Sequence, residues 1–522
     1  MSFNPTLIHH FLEHSANFLP EKVAMIHEGL RASYSQINNQ ANHLANYLIE
    51  RGIQVGDRVA LLLENSLEYV VSYYGCLKAG GVTVPLNTDL RSDGLKALLC
   101  EVEPKAIIST SKFERLIDVT NLNESHVQEL ILKMPKLEWS SKSFTVTKFE
   151  EIAQVSPASD PNIQIGATDL ASIIFTSGST GRAKGVMLTH RNIVSNTRSI
   201  CQYLRLTQND IQMVVLPFYY VMGKSLLNTH FAVGGTVVIN NKFAFPAAVL
   251  NEMVTEKVTA FSGVPSTYAF LLHRSPIAAY RDKLTSLRYC SQAGGHMARV
   301  IKEGLRQVLP VHTDIYIMYG ATEAAARLSY LEPERFKDKM DSIGKAIPGV
   351  TLRGLDEKGR DLPVGKIGEL VALGNNIMQG YWKDPEMTAK VLDTNGYHTG
   401  DLCYQDQEGL FYVLGRKDNL LKVGGYRINP LGIEDILMGT GLLMEATVLG
   451  IPDKLLGQRL VALVTPKNNN CNLEMILKLC ASKLPRYEVP SEIKFVRSLP
   501  KNASGKIDSV KCLELFNLGR SL

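Results

Sequence analysis

Short apolar runs of strand length alternate with helical stretches through the first half of the chain, and this alternation limits the fold more than any other feature. Residues 58–63 (Arg-Val-Ala-Leu-Leu-Leu) have the length and apolarity of a buried strand. Residues 67–77 read as a helix stopped by Gly80-Gly81, and residues 82–86 as a second strand. Strand, helix, strand at this spacing predicts a parallel sheet with helical crossovers. The pattern returns at 106–109, 171–175, 213–216, 236–239 and 259–262, while residues 112–166 read as a polar, irregular surface excursion. From about 350 the texture changes to short strands and turns, as at 365–371 and 409–415. The tail restarts with a helix over 430–438, strands at 446–450 and 460–464, and a further helix. At 522 residues the chain exceeds one ordinary core, so two or more domains are expected. The expected fold is α/β: a large N-terminal domain of parallel α/β subdomains with a small β-rich subdomain, then a small α+β C-terminal domain.

The densest chemistry lies in Thr176-Ser177-Gly178-Ser179-Thr180-Gly181-Arg182-Ala183-Lys184-Gly185. It follows the strand at 171–175 and precedes residues 186–192, which read as a turn into a helix. Glycines let the backbone approach a ligand closely, and the N–H groups of such a loop form an anion-binding concavity. Hydroxyls and Lys184 add donors and charge, so a polyphosphate grip is indicated. The common nucleoside-triphosphate loop is excluded: Lys184 is followed by Gly185, and Gly223-Lys224-Ser225 has Phe218 where the first glycine belongs. A flexible surface loop is the bland alternative.

Composition narrows the classes. A net charge of +5 permits an anionic ligand but makes no case for nucleic acid. Eight scattered cysteines without a C-x-x-C pair read as buried thiols in a reducing compartment. No signal peptide and no apolar run of membrane-spanning length is seen, so a cytoplasmic location is expected.

Other stretches are individually ambiguous. Tyr319-Gly320-Ala321-Thr322-Glu323 follows the apolar run 315–318, placing a hydroxyl and a carboxylate at the carboxyl edge of a sheet, where open α/β sheets bind ligands. Glu323 could hold magnesium; Thr322 could equally be a helix cap. Asp401 stands at a tight turn suited to ribose hydroxyls. Residues 415–428 are charged and glycine-rich, as a joint or a solvated hairpin would be. Lys506 lies on a glycine-bearing loop near the C-terminus.

Taken in order, these blocks resemble the adenylate-forming superfamily of acyl-CoA synthetases, adenylation domains and luciferases, over nearly the whole chain from Tyr34-Ser35 to Lys506. One departure is Ala183, where proline is usual; losing its fixed φ loosens the loop slightly. The resemblance implies an AMP-binding domain over 1–415, its β-rich part at about 345–415, a hinge at 416–418 and a C-terminal domain over 419–522. It implies that Thr176, Ser177, Gly178, Ser179, Thr180 and Lys184 wrap the pyrophosphate end of ATP. Gly294, Gly295, Tyr319 and Gly320 border adenine, Thr322 contacts the α-phosphate and Glu323 binds Mg2+. Asp401 and Arg416 hold ribose, Asp418 is the hinge, and Lys506 bridges carboxylate and phosphate. Gly424 and Gly425 face the thiol once the C-terminal domain has swung.

The implied reaction converts a carboxylic acid and ATP to an acyl-adenylate and pyrophosphate, then passes the acyl group to a thiol. CoA is the expected acceptor; a carrier-protein phosphopantetheine is the alternative, and a non-catalytic nucleotide-binding protein on the same fold is a third reading. Tyr220, Gly223, Val264, Tyr268 and Met318 are the expected acyl wall. Residues 211–230 carry no Asp or Glu, and burying an unpaired ammonium is costly, which favours an acid without an α-amino group. Lys224 could reach a second carboxylate on the substrate, but a lysine in such a position is more often solvated.

Overall fold

A computed structural model describes residues 4–176, 183–424, 426–468, 471–502 and 505–518. The first sheet has nine strands. Its parallel body runs Asp314–Tyr319, Tyr289–Gln292, Ala260–Gly263, Ile211–Val214, Thr236–Ile239, Val23–His27, with antiparallel strands at both edges. The second has eight, six of them in the parallel order Leu170–Thr176, Val82–Pro85, Arg58–Leu62, Ala106–Thr110, Glu129–Lys133, Thr145–Lys148. The largest apolar core takes side chains from both sheets and from the helices Tyr34–Glu50, Leu67–Lys78, His190–Tyr203 and Val221–Val233. Continuous apolar runs are what strands covered on both faces require.

Two expectations need correction. Residues 112–166 are not all surface excursion, because Glu129–Lys133 and Thr145–Lys148 extend the second sheet to its edge. The last strand has no fully buried residue, so it carries no apolar signature. Residues 186–189 are strand, not turn: Lys184–Thr189 pairs antiparallel with Leu170–Thr176 before Thr189 caps the helix His190–Tyr203. The glycine-rich loop is therefore the tip of a hairpin, and Thr176 and Lys184 are register partners at its feet.

A five-stranded antiparallel sheet occupies residues 350–416, and another five-stranded sheet organises the C-terminal part between Leu421–Val423 and Glu492–Phe495. The apolar core behind the first sheet continues into that last part through Val423, Ile433 and Leu437. The cysteines are all free; five are buried, but Cys100 is exposed, contrary to the expectation of buried thiols. No helix among the described residues is long and apolar enough to cross a membrane.

Lys224 departs most from its reading in the sequence. It is 2% exposed, on the helix Val221–Val233, with its Nζ 3.3 Å from Ser172 Oγ and 5.0 Å from the centre of the Tyr73 ring. Lys78, equally buried, has Glu13 at 2.6 Å and Asp160 at 2.8 Å. No carboxylate among the described residues pairs with Lys224, and burial pulls its pKa from 10.5 to about 7. Neutralisation is the ordinary escape for a buried, unpaired amine. The unfolded chain holds this proton up to 10.5 and the folded chain only to about 7. The cost to stability is thus nil above the upper value, grows as pH falls between the two, and is constant below about 7. Lys224→Met is expected to raise stability at neutral pH by about 2–4 kcal/mol and to flatten its pH dependence across that window. Denaturant melts from neutral to alkaline pH check this; a variant less stable than wild type, or with an unchanged slope, contradicts it.

Candidate active site

The carboxyl ends of the first sheet's parallel strands carry the predicted residues. After Tyr289–Gln292 the chain turns at Gly294, whose φ of +90° favours glycine, and Gln292 Nε2 donates to Gly295 O at 2.8 Å. After Asp314–Tyr319 comes Gly320, where a methyl group would lie 1.9 Å from Ala326 O, so the chain beyond Glu323 folds tightly back over the strand end. Thr322 opens a single 3-10 turn, Thr322–Ala324, whose cap is Ala321 without a side-chain bond. The Thr322 hydroxyl is thus not spent as a cap.

Tyr319 Oη donates a short hydrogen bond to Asp401 Oδ2. Asp401 lies on Gly396–Gln405, in register with Arg416 on Phe411–Arg416, and its Oδ1 is 4.0 Å from Arg416 Nε. Burial raises the Asp401 pKa, while the Tyr319 hydrogen bond and the positive charges of Arg416 and Lys506 oppose the rise. Arg416 Nη2 donates to Thr399 O at 3.2 Å.

A second chain of contacts starts at the hairpin. Lys184 Nζ stands 5.3 Å above the Tyr381 ring, and Tyr381 Oη donates to Glu323 Oε1 at 2.8 Å. Tyr381 is held by the short strand Gly380–Tyr381, which pairs with Lys184–Thr189. Sequence reasoning missed Tyr381; its only local signal is the aromatic pair Tyr381-Trp382 after a glycine.

Lys506 arrives from the C-terminal part. A methyl group on Gly294 would find Lys506 Cε at 3.9 Å, and one on Gly505 would find Ser266 Oγ at 3.0 Å and Val264 Cγ2 at 3.2 Å. Lys506 is exposed over much of its surface, yet desolvation of its ammonium lowers its pKa from 10.5; Glu323 and Asp401 oppose that shift and Arg416 adds to it. His296 Nε2 and Asp435 Oδ1, 2.8 Å apart, tie the same parts together. Thr176, Lys184, Gly294, Gly295, Tyr319, Gly320, Thr322, Glu323, Asp401, Arg416 and Lys506 thus converge. Ser177, Gly178, Ser179, Thr180 and Gly425 lie outside the described residues.

Other predicted positions behave differently. Val264 and Met318 are buried in the core between the sheets, and Tyr220 caps the helix Val221–Val233 beside Tyr219. Gly223 serves the backbone, since a methyl group there would sit 2.1 Å from Pro217 O. Tyr268 belongs to the core behind the first sheet, and its hydroxyl donates to Ser291 O at 2.7 Å. Asp418 is exposed in a 3-10 turn, Lys417–Asn419. Gly424 stays at a hairpin tip in the C-terminal part, its N–H donating to Leu456 O at 2.9 Å.

On the expectation from the resemblance that Asp401 holds the ribose of ATP, Tyr319→Phe should raise KM for ATP about 10-fold, the scale of losing a hydrogen bond to a charged group. It removes a group that keeps Asp401 ionised, so the loss of ATP binding on acidification should begin at a higher pH than in wild type. ATP titrations at several pH values test both statements, and an unchanged pH dependence refutes the role given to this bond.

Comparisons with known proteins assign the chain to a family. The family model described as AMP-binding enzyme matches residues 12–382, and the AMP-binding enzyme C-terminal domain matches 432–506. The medium-chain fatty-acid–CoA ligase of Escherichia coli strain K12 is 30% identical over 95% of this chain and 88% of that protein. A feruloyl-CoA synthase of an Amycolatopsis species is also 30% identical, over 94% of this chain and 95% of its own. The crystal structure of ATP-bound MatB from Rhodopseudomonas palustris superposes with a TM-score of 0.85 at 28% identity, covering 98% of this chain and 99% of that one. With a predicted phosphate-binding hairpin, a Tyr–Asp pair and a lysine from the C-terminal part at one sheet edge, and with both family models matched in order, the chain belongs to the family of AMP-binding enzymes.

Proposed function

We propose that this enzyme activates a carboxylic acid with ATP as the acyl-adenylate, releasing pyrophosphate, and then transfers the acyl group to the thiol of CoA. The observation carrying this reading is the approach of Lys506 to Gly294, with Glu323 and Asp401 acting electrostatically on its ammonium. The acid's carboxylate and the α-phosphate repel each other. A cation between them lowers that barrier most where the site is already organised and partly dry.

Lys184 and the hairpin tip receive the departing pyrophosphate, and Thr322 contacts the α-phosphate. Asp401 and Arg416 hold the ribose, Gly294, Gly295 and Tyr319 border adenine, and the acyl chain runs along Tyr220, Val264 and Met318. Glu323 and Thr322 offer hard oxygen donors of the kind Mg2+ takes, and Tyr381 fixes one Glu323 oxygen. Bound there, Mg2+ supplies neutralising charge for the phosphates. For thiol transfer, the C-terminal domain over 419–522 turns about a hinge at 416–418, centred on Asp418. This withdraws Lys506 and presents Gly424-Gly425. Domain movement of this kind often separates successive chemical steps.

Lys506→Ala is expected to slow acid-dependent pyrophosphate release by about 100-fold or more, while preformed acyl-adenylate still passes to CoA at close to the wild-type rate. Equal losses in both half-reactions contradict the assignment. Because burial lowers the Lys506 pKa, the alkaline limb of the adenylation pH profile should lie below the 10.5 of an ordinary lysine. Adenylate that forms but never reaches CoA identifies a carrier protein as the acceptor instead.

A further inference from the structure

Among the described residues, buried cations are matched by carboxylates or can lose their charge, with one exception. Lys78 has Glu13 and Asp160, and Lys302 has Asp341 at 3.5 Å and the Met340 carbonyl at 2.7 Å. Lys224 can deprotonate. Arg327 can do neither. It is 3% exposed, and a guanidinium stays charged in proteins. Its acceptors are Met318 Sδ at 3.2 Å from Nε, its neighbour's Ala326 O at 3.3 Å from Nη1, and the Tyr203 phenol. Among the described residues no carboxylate pairs with it, and its electrostatic partners are two tyrosines, Tyr203 and Tyr289. Leaving a permanent charge buried without a counter-ion costs several kcal/mol.

The backbone works to keep the guanidinium there. Ala325 and Ala326 have φ of +54° and +126°, a region that alanine rarely adopts. Two buried asparagines clamp the segment: Asn196 Nδ2 donates to Arg327 O at 2.8 Å, and Asn376 Nδ2 donates to Ala324 O and Arg327 O at 3.0 Å each. Local strain held this firmly is characteristic of ligand-contacting segments.

The surroundings point to the acyl end of the site. Met318, which Arg327 touches, is on the proposed acyl wall, and Tyr203 Oη also lies 3.3 Å from its sulfur. A few polar side chains are set into the apolar core on this side of the sheet: Ser262 and Ser291 hydroxyls are 2.8 Å apart, and Tyr289 Oη donates to Gln212 Oε1 at 3.4 Å.

We propose that Arg327 is a specificity residue that receives an anionic group at the far end of the acid, making the substrate a short dicarboxylic acid. This rests on the adenylation reading above. A site built around a buried charge discriminates strongly against a ligand lacking the complement, because the charge is then left unpaired.

The test measures kcat/KM for a length series of α,ω-dicarboxylic acids, succinate to pimelate, against monocarboxylic acids of equal carbon number. Pyrophosphate and CoA-thioester are read in wild type, Arg327→Met and Arg327→Lys. Wild type should favour its best diacid over the matched monoacid by about 100-fold or more. Arg327→Met should collapse that ratio to within about 10-fold, and Arg327→Lys should retain part of it. If Arg327→Met does not fold, the wild-type ratio and the Arg327→Lys ratio decide. A wild-type preference for monoacids overturns the proposal, as does a folded Arg327→Met with its diacid preference intact. If KM for ATP rises while the acid ratio holds, the anion is a nucleotide phosphate and the proposal fails. No pyrophosphate from any acid overturns the adenylation reading itself, and this proposal with it.

Discussion

The hydrogen bond from Tyr319 to Asp401 joins two sheets at the edge where the predicted site residues gather. Tyr319 ends a parallel strand of the first sheet, and Asp401 belongs to the antiparallel sheet over residues 350–416. A carboxylate this deeply placed pays for desolvation, and the phenol, Arg416 and Lys506 share in offsetting it. Arg416, the register partner of Asp401, is the last residue of its strand, and the C-terminal part departs immediately after it. One buried acid therefore sets where the second sheet edge lies, where the chain leaves it, and where Lys506 can return. The apolar core behind the first sheet and the His296–Asp435 contact hold that return, but neither is directional enough to place an ammonium beside Gly294.

The treatment of charge is consistent across the molecule. Among the described residues Glu323 and Lys184 form no ion pair but are linked through the hydroxyl and the face of Tyr381. Away from this edge, buried cations are either neutralised by partners or able to give up their proton. Among the described residues, Arg327 alone keeps a buried charge with no carboxylate against it, on a segment with two alanines at positive φ.

Much of the scaffold was readable from apolar periodicity. The helix over 430–438 begins where Pro430 permits, and the strands at 58–62, 82–85 and 171–176 coincide with runs that need cover on both faces. Edge strands escaped because one wet face removes the apolar signal, as in Thr145–Lys148. The family motifs located most of the edge residues, because each is a short string next to a strand end. Contacts made across long separations were not legible. Tyr381 reaches Glu323 from 58 positions away, and nothing near either residue announces the other. Lys224 was misjudged because lysine's default is solvent; its burial depends on Tyr73 and Ser172, brought up by other elements.

The hairpin that ends in the glycine-rich loop has a mechanical consequence. Its two strands are flanked by Val82–Pro85 on one side and Gly380–Tyr381 on the other. The pair is tied to the first neighbour at Thr83–Ser172 and to the second through Val186 and Met187, while Thr176 and Lys184 face each other at the end of its own ladder. The two feet of the loop therefore cannot move apart without breaking that ladder, so their separation is set by the sheet and not by the residues between them.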